Sequence, residues 1–451
     1  MSAELLITGG TVVTMNDERE VLYDGAILIA GERIVTLGST KELVKAHPSA
    51  ERLDASGKVI LPGLINAHTH IAMSLQKGVT MAVPEGLYRV MWPVEKSLTP
   101  EDVYVGALIG GAEALKGGTT CVVDHYFHEE QVARATTELG LRGVLGHTIM
   151  SRLGPFTGEH ELEEGIDFVT RWKDRHPLVH PWLAPHATDT VARDWLLRLR
   201  DVANTEGVGL HLHVAQSPRE RAYIEELYGM GCVDYLADLG FLGPDVLAAH
   251  CLFIDTEEID HFEASGAHPL YCPMGHALHG NPQRAWEMIQ LGIRVLIGTD
   301  CVCSNNEMNI VSELRIAGTS QKQLAGDHLA MPPLKILETV TRDGAEAIGM
   351  GEQLGSLSPG YLADLILLDF DGLHALPVYG LLDNIIYTCH GRDVNTVIVH
   401  GKVVVQDHAL TTMDERRLVT LAQEYGPALI KRALASEEDL AFLWDQAGRA
   451  S

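Results

Sequence analysis

The stretch Val246-Leu-Ala-Ala-His250 is a short apolar run that ends in a polar residue. Seven further runs of this kind precede or follow it, and helical stretches separate them. The other predicted strands are Val59-Ile-Leu61, Thr120-Cys-Val-Val-Asp124, Leu141-Arg-Gly-Val-Leu145, Leu178-Val-His-Pro-Trp-Leu183, Gly209-Leu-His-Leu-His-Val214, His268-Pro-Leu-Tyr-Cys272 and Arg294-Val-Leu-Ile-Gly-Thr-Asp300. Eight strands that alternate with helices predict an α/β protein with a (β/α)8 TIM barrel. Strand counting alone leaves a doubly wound open sheet as the alternative.

Helix signals support this alternation. Thr99 is a predicted N-cap, Pro100 occupies the first helical position, and Glu101 and Asp102 place acids in the first turn. Amphipathic spacing predicts two further helices over residues 189–206 and 282–291.

Both ends of the chain show a different pattern, in which β-branched residues alternate around glycine turns. Such hairpin signals surround Gly9-Gly10 and Gly31-Glu32, and they return after residue 363. Because chain termini commonly lie close together, we expect the two ends to form one small discontinuous β-sandwich domain. The expected organisation is 1–62 and 363–413 for the two parts of the sandwich, 63–362 for the barrel and 414–451 for a C-terminal helical segment.

Composition excludes several classes of protein. The 451 residues include 34 Lys and Arg against 61 Asp and Glu, and the resulting net charge of −27 argues against nucleic acid or an anionic membrane as partner. The seven cysteines are scattered, odd in number and without a CxxC pair, which does not indicate a disulfide framework. Since no secretion signal or membrane-spanning run is recognisable either, we expect a soluble cytoplasmic protein.

The 22 histidines include several at meaningful positions. His68 and His70 stand two apart where the first predicted strand ends, so the period of a strand turns both rings to one face. His213 ends the fifth strand, His250 the sixth and Asp300 the eighth. In a TIM barrel the carboxyl ends of the strands face the active site. Imidazoles and a carboxylate that converge there, three of the rings as ligands, predict a site for a borderline transition metal with room for a water molecule.

These residues also resemble a known family, the amidohydrolase superfamily. The matching stretches are Pro62-Gly-Leu-Ile-Asn-Ala-His-Thr-His70, the strand-end His213, Ala249-His-Cys251 and Gly298-Thr-Asp300 with Ser304-Asn305. More narrowly, the chain is similar to the branch of triazine hydrolases and S-adenosylhomocysteine/methylthioadenosine deaminases, especially over residues 124–130. The resemblance extends as far as Val403 and so covers almost the whole chain.

The resemblance implies that His68, His70, His213 and Asp300 are metal ligands and that His250 lies beside a bound water. Asp300 would also take the proton of that water. Binuclear members of the superfamily use a carboxylated lysine in the fourth strand, and residues 178–186 contain no lysine. We therefore expect one divalent ion, Zn²⁺ or alternatively Fe²⁺.

One position departs from the deaminases of this branch, which carry a glutamate three residues after the fifth-strand histidine. This chain reads His213-Val-Ala-Gln216. Glutamine can hydrogen-bond a substrate but cannot deliver a proton. Three explanations stay open: His250 or Glu220 shuttles the proton, the substrate needs no such proton, or the chain is a metal-containing binding protein without catalytic activity.

The loops after the strands supply candidates for substrate contact. The candidates are His186, His128, Trp92, Glu85 and His279. For Trp92, packing against the barrel rim is an equally good interpretation. The seventh-strand loop, Cys272-Pro-Met-Gly-His-Ala-Leu-His279, departs from the Asn-Pro-x-Ser-Asn pattern of the branch and offers His276 and His279 instead.

Together these features predict a metal-dependent hydrolase that acts on a C–N bond of a small N-heterocycle such as a purine, pterin, pyrimidine or triazine. The reaction expected first is deamination by a water molecule that the metal activates. The enzymatic alternatives are hydrolysis of a cyclic amide or imidate and hydrolytic displacement of a ring substituent. The expected partner is the small heterocyclic substrate, and self-association into a homo-oligomer stays open.

Overall fold

The computed structural model describes residues 4–80, 83, 85–437 and 440. Its strands are β1 (Glu4–Val13), β2 (Val21–Ala30), β3 (Arg33–Ser39), β4 (Glu51–Asp54), β5 (Lys58–Pro62), β6 (Leu64–Thr69), β7 (Thr119–Tyr126), β8 (Arg142–Ile149), β9 (Val179–Pro185), β10 (Leu210–Val214), β11 (Val246–His250), β12 (His268–Tyr271), β13 (Leu296–Ile297), β14 (Leu365–Asp369), β15 (Val394–Val399), β16 (Lys402–Gln406) and β17 (Ala409–Leu410).

Helices connect these strands. They are α1 (Thr40–Ala46), α2 (Trp92–Glu95), α3 (Pro100–Lys116), α4 (Glu129–Leu139), α5 (Glu159–Trp172), α6 (Arg193–Glu206), α7 (Pro218–Tyr228), α8 (Cys232–Asp238), α9 (Thr256–Ser265), α10 (Pro273–Leu278), α11 (Ala285–Gln290), α12 (Ile310–Ala325), α13 (Pro333–Thr339), α14 (Arg342–Ala347), α15 (Leu381–Tyr387) and α16 (Glu415–Ser436). Short 3-10 turns occupy Ile71–Gln76 and Gly391–Asp393, and a π-helical turn occupies Leu87–Met91.

Strands β6 to β13 form one eight-stranded parallel sheet in which each strand pairs with its neighbours in chain order. The backbone N–H of Asp300 donates to the carbonyl of His68 at 2.9 Å, and Thr69 and Asp300 form a parallel bridge. This contact brings the end of the sheet back to its beginning. The sheet is therefore a nearly closed (β/α)8 barrel, and the predicted fold class is confirmed.

The first barrel strand differs from the prediction. Val59-Ile-Leu61 belongs to β5, which pairs with β1 and β14 outside the barrel, whereas β6 is the first barrel strand. Gly63 separates the two strands, and a Cβ there would lie 2.0 Å from Oγ1 of Thr120. The prediction was wrong because the apolar pattern continues through this glycine, so periodicity does not reveal that the chain leaves one sheet and enters another.

The predicted N-cap of α3 is present, and it forms a capping box. The Asp102 backbone N–H donates to Thr99 Oγ1 at 3.2 Å, and the Thr99 N–H donates to Asp102 Oδ2 at 2.8 Å. The two amphipathic helices are shorter than predicted. Helix α6 begins only at Arg193, because the preceding residues make a turn in which Thr190 N–H donates to the carbonyl of Ala187. Helix α11 is confined to residues 285–290.

The two chain ends form one sheet beside the barrel, with the order β17-β16-β15-β14-β5-β1-β2-β3 and with β4 alongside β1. Strand β14 runs antiparallel to β5, and Leu365 pairs with Pro62. Buried residues far apart in this sheet, such as Ile29, Ile60 and Ile398, share one apolar core. The Ala363 N–H donates to the carbonyl of Glu32 at 2.8 Å and brings the turn between β2 and β3 to the start of β14, so the sheet curves upon itself. Both ends of the chain therefore build a single β domain.

A buried ion pair links this domain to the barrel. Arg142, at the start of β8, donates from Nε and Nη2 to the two carboxylate oxygens of Asp364 at 3.0 and 2.9 Å. The two side chains are only 1% and 3% exposed. The His400 backbone N–H also donates to Asp364 at 2.7 Å. This bidentate pair fixes the amino-terminal face of the barrel to the residue that precedes β14.

Helix α16 lies against the barrel near α3, where Arg432 pairs with the buried Asp102. Residues 438, 439 and 441–451 of the predicted C-terminal segment lie outside the described residues. No helix in the described part of the chain is both long and apolar enough to cross a bilayer.

Candidate active site

The carboxyl ends of the barrel strands surround an open pocket. His70 after β6, His213 in β10, His250 at the end of β11 and Asp300 after β13 all line it. His68 lies fully buried beneath them. The structure therefore brings together all five residues that strand position had placed at one site.

The ring nitrogens of His68, His70 and His213 lie close together, and the carboxylate of Asp300 lies beside the first two. His213 Nε2 lies 3.3 Å from His70 Nε2, and Asp300 Oδ1 lies 3.5 Å from His70 Nε2 and 3.7 Å from His68 Nε2. Ligand atoms bound at about 2.0–2.1 Å to a tetrahedral ion lie about 3.3–3.4 Å from one another. These three separations are close to that value and suit a single divalent ion.

The second nitrogen of each histidine is already engaged. Nδ1 of His68 lies 2.8 Å from His211 Nε2, Nδ1 of His70 contacts the carbonyl of His125 at 2.5 Å, and Nδ1 of His213 contacts the carbonyl of His186 at 2.7 Å. Such contacts fix the ring orientation of metal ligands. His68 Nε2 is buried and has no hydrogen-bond partner among the described residues. A bound ion would satisfy this nitrogen, so the donor set fits a metal.

Burial keeps His68 and His213 neutral. Desolvation, reinforced by the neighbouring histidines, lowers the pKa of His68 and of His213 well below the usual value for histidine. Metal ligation requires the neutral ring with its lone pair. The Cys301 backbone N–H donates to Asp300 Oδ1 at 2.7 Å and so orients the carboxylate.

His250 forms the wall beside this cluster. Its ring stacks on His213 with centroids 5.4 Å apart and meets His68 edge-on at 5.2 Å. Its Nδ1 lies 3.1 Å from His276 Nε2, and Gln283 Nε2 donates to its carbonyl. The backbone of His250 has a φ of 78°, which is unusual for a residue with a side chain and is typical of positions under functional constraint.

Gln216 lines the pocket, and Glu220 holds its loop from behind. The Gln216 N–H donates to Glu220 Oε2 at 2.8 Å, and the Thr188 hydroxyl donates to Glu220 Oε1 at 2.6 Å. Desolvation and the nearby Asp189 raise the pKa of Glu220 to about 8. Because both oxygens are engaged and Glu220 is not among the described residues that line the pocket, its contacts favour a role in supporting the loop over proton transfer.

Three of the five candidates for substrate contact reach the pocket: His186, Trp92 and His279. His186 Nδ1 contacts Thr190 Oγ1 at 2.9 Å, and Trp92 meets the His186 ring edge-on at 6.0 Å. Trp92 is only 7% exposed and also packs on Tyr88, so it belongs both to the rim and to the pocket wall.

Glu85 and His128 are not among the described residues that line the pocket, although the loop positions had suggested contact. His128 precedes α4 with a left-handed φ of 53°, and its ring lies 5.2 Å from that of Phe156. Glu85 is exposed just before the π-helical turn. Both residues have a left-handed backbone, which the position of a residue in a loop does not predict, and neither side chain is in the pocket lining.

The structure adds residues that the sequence analysis did not identify. Glu95 lines the pocket and accepts a hydrogen bond from the Tyr126 hydroxyl at 2.8 Å, and burial raises its pKa to about 8. Glu95 follows Trp92 by three residues, and in a helix this spacing would have placed both side chains on the same face. His211 supports His68, as described above, and its position two residues before His213 had been the available signal.

Comparison with known proteins agrees with this geometry. The profile of the amidohydrolase family matches residues 59–404. The 5-methylthioadenosine/S-adenosylhomocysteine deaminase of Pelotomaculum thermopropionicum is 35% identical over 435 residues, which cover 95% of this chain and 100% of the relative. The 5'-deoxyadenosine deaminase of Methanosarcina mazei is 33% identical over 435 residues, which cover 95% and 99%.

A solved adenosine deaminase from Xanthomonas campestris with bound zinc superposes with a TM-score of 0.90 at 29% identity, over 95% of this chain and 99% of that one. The resemblance noted in the sequence is thus confirmed. This chain belongs to the amidohydrolase family and is a hydrolase of carbon–nitrogen bonds.

Proposed function

We propose that the protein is an aminohydrolase that releases ammonia from a small N-heterocycle, and that adenosine-like purines are the first substrate class to test. The observation that carries this proposal is the cluster of His68, His70 and His213, with Asp300 beside the first two. The names of the relatives, which are deaminases of adenosine-type compounds, support the choice of purines.

We assign to these four residues one divalent ion, with Zn²⁺ as the first choice and Fe²⁺ as the alternative. An ion of this kind lowers the pKa of a water molecule from 15.7 to about 7 and so provides a nucleophile at neutral pH. The zinc in the solved adenosine deaminase supports zinc as the first choice.

Asp300 is the base in this proposal. Its Oδ1 faces the histidine nitrogens and accepts from the Cys301 N–H, which leaves Oδ2 to take the proton of the attacking water. A histidine ligand cannot do this, because its inward nitrogen lone pair is needed for ligation. His250 stands beside the same position and can hydrogen-bond the oxygen that attacks or the negative charge that develops on it.

The pocket walls indicate the kind of substrate. Apolar side chains, among them Met91, Trp92 and Leu252, suit a flat ring, and Gln216 offers a donor and an acceptor to a ring edge. Glu95, whose pKa of about 8 keeps it largely protonated at pH 7, can donate a hydrogen bond. No Lys or Arg is among the described residues that line the pocket. A neutral heterocycle therefore fits better than a phosphate or carboxylate.

Gln216 specifically favours a second candidate, hydrolytic displacement of a ring substituent or opening of a cyclic amide. Deamination at a C=N bond must deliver a proton to the ring nitrogen, and glutamine cannot supply one. A substrate whose negative charge develops on oxygen would avoid this requirement, since Asp300 alone would carry the proton.

Metal analysis combined with ammonia release distinguishes these functions. The purified protein is tested on aminopurines and their nucleosides, pterins, pyrimidines and triazines, with Asp300→Asn as the inactive control. Ammonia released by the wild type and not by the variant supports the proposal. Metal-dependent turnover without ammonia supports the second candidate. Binding without turnover by protein that holds its ion would refute both, and two tightly held ions per chain would refute the single-ion assignment.

The seven cysteines are all free thiols and all buried. Unpaired cysteines are typical of a reducing compartment, which supports our proposal that the protein works in the cytoplasm.

A further inference from the structure

The loop after β12 places a second histidine beside His250 in the pocket wall. His250 Nδ1 lies 3.1 Å from His276 Nε2, and the two residues are 7% and 5% exposed. Helix α10 carries His276, whose backbone N–H donates to the carbonyl of Cys272 at 2.9 Å. The two imidazoles therefore form a direct hydrogen bond within the pocket wall.

We propose that His276 is a positioning residue that makes His250 a hydrogen-bond donor to the reacting oxygen. This inference rests on the proposed function, because it assigns a task to His250 in that reaction. His276 acts through His250, and the task it sets is to fix which nitrogen of His250 carries the hydrogen.

The hydrogen-bond accounting of the pair determines the tautomer. A neutral imidazole has one donor and one acceptor. If His250 donated, His276 would carry its hydrogen on Nδ1, which is buried and has no partner among the described residues. Buried N–H groups without an acceptor are rare in proteins. If His276 donates from Nε2 instead, its Nδ1 keeps only a lone pair, and no donor is left unsatisfied.

In that arrangement His250 Nδ1 accepts, so the hydrogen of His250 is on Nε2. A ring nitrogen of His250 lies within 4.8 Å of the ligand atoms of both His68 and Asp300. Because Nδ1 is engaged with His276, we assign the inward position to Nε2. An N–H at this place can stabilise an oxygen that gains negative charge, but it cannot accept a proton. Proton transfer from the water therefore falls to Asp300.

The backbone around the pair is held in place. Gln283 Nε2 donates to the carbonyl of His250, at the end of β11, and to that of Leu270 in β12 at 3.1 Å. This side chain ties the two strands together at the level of the histidine pair. The separation between the two rings is therefore built into the barrel, which a positioning role requires.

The test compares two substitutions that differ in hydrogen bonding. His276→Leu removes the donor, whereas His276→Gln places an amide that can still donate near the same point. We expect His276→Leu to lower kcat about 10- to 100-fold, as the loss of supporting contacts does at other metal sites, with little change in KM. His276→Gln should recover most of this loss. His268→Leu is the control, because His268 is equally buried at the opposite end of β12.

Two further measurements separate positioning from general damage. His250→Asn combined with His276→Leu should be no slower than His250→Asn alone, since His276 acts only through His250. Long-range ¹H–¹⁵N spectra of histidine-labelled protein should show hydrogen on Nε2 and not on Nδ1 of His250. The His250 signals are assigned from the His250→Asn variant, and this readout requires no turnover.

Several results would overturn the inference. They are hydrogen on Nδ1 of His250, an undiminished kcat in His276→Leu, equal losses in the Leu and Gln variants, and additive losses in the double variant. A second ion that is lost with His276→Leu would also overturn it, because His250, Cys272 and His276 would then be ligands. If the wild type turns over a substrate without releasing ammonia, the proposed deamination is refuted. The kcat values of the two His276 variants, measured on that substrate, still test the role of His276. If the wild type turns over none of the substrates, the ¹H–¹⁵N spectrum of His250 tests the assigned tautomer without turnover.

Discussion

Replacement of His211 by leucine should weaken metal binding without unfolding the protein. His211 does not reach the ion itself; its Nε2 lies 2.8 Å from Nδ1 of His68. Since Nε2 of His68 is required for the ion, the hydrogen of His68 must be on Nδ1, and His211 must accept it. The hydrogen of His211 is then on its own Nδ1, which has no partner among the described residues, so in this pair ligation of the ion decides the tautomer. His211→Leu keeps the site apolar and filled but removes this acceptor.

The expected size of the effect follows from this contact. Loss of the partner that orients a ligating histidine typically costs about 10- to 100-fold in metal affinity, or about 1.4–2.7 kcal/mol. We place His211→Leu in this range because His68 is fully buried and solvent cannot replace the lost acceptor. His211→Gln, which retains an acceptor, should lose less.

The assay is competition for Zn²⁺ between metal-free protein and a chromophoric chelator, at pH 7.5 and fixed ionic strength. The control is His268→Leu, a buried histidine at the amino-terminal end of β12 whose ring contacts the carbonyl of Pro244. A zinc Kd for His211→Leu within a factor of two of the wild type would refute the reasoning. So would an equal loss in His268→Leu, because the effect would then reflect packing alone.

Three other perturbations test the fold and the chemistry. Asp364→Ala leaves Arg142 buried without its partner and should lower the free energy of unfolding by about 3–5 kcal/mol in urea titrations; a change below about 1 kcal/mol would contradict the structural weight given to this pair. Burial lowers the pKa of His186 and His211 to about 3, so the unfolded chain binds more protons below pH 6.5. The contribution of these two histidines to the stability of the metal-free protein should thus be complete above pH 6.5 and fall by up to about 1.4 kcal/mol per pH unit for each histidine as the pH decreases towards 3, while the raised pKa values of Glu95 and Glu220 act in the opposite direction; a difference in the free energy of unfolding between the wild type and His186→Leu that stays constant from pH 7 to 5 would contradict this. Gln216→Glu should raise ammonia release from aminopurines, by at most the roughly 10²–10⁴-fold that general acid–base catalysis contributes; an unchanged or abolished rate would show that glutamine serves another reaction.

The sequence could predict the barrel and the floor of the site because both depend on position along a strand. The carboxyl ends of all barrel strands lie at the same end of the barrel, so His213, His250 and Asp300 were expected to lie close together. The pair His68 and His70 followed from the two-residue period of a strand. None of these assignments required knowledge of a loop.

Residues whose place depends on loop geometry were not predictable in the same way. Glu85 and His128 seemed equivalent to His186 by position, yet a left-handed backbone turns His128 away. Glu95 was missed because its burial results from the packing of α2. The contact between His211 and His68 joins strands that are far apart in the sequence, and periodicity within one strand cannot show it.

The split β domain has a consequence for the order in which the protein can be made. Strand β5 pairs with β14, and Leu365 emerges from the ribosome about 300 residues after its partner Pro62. At about 5–20 residues per second, β5 waits about 15–60 s with one backbone edge unpaired. An open strand edge invites association with other chains. The nascent protein therefore has to protect this edge while the whole barrel is being synthesised, and a chain that stops at residue 362 would leave it open permanently.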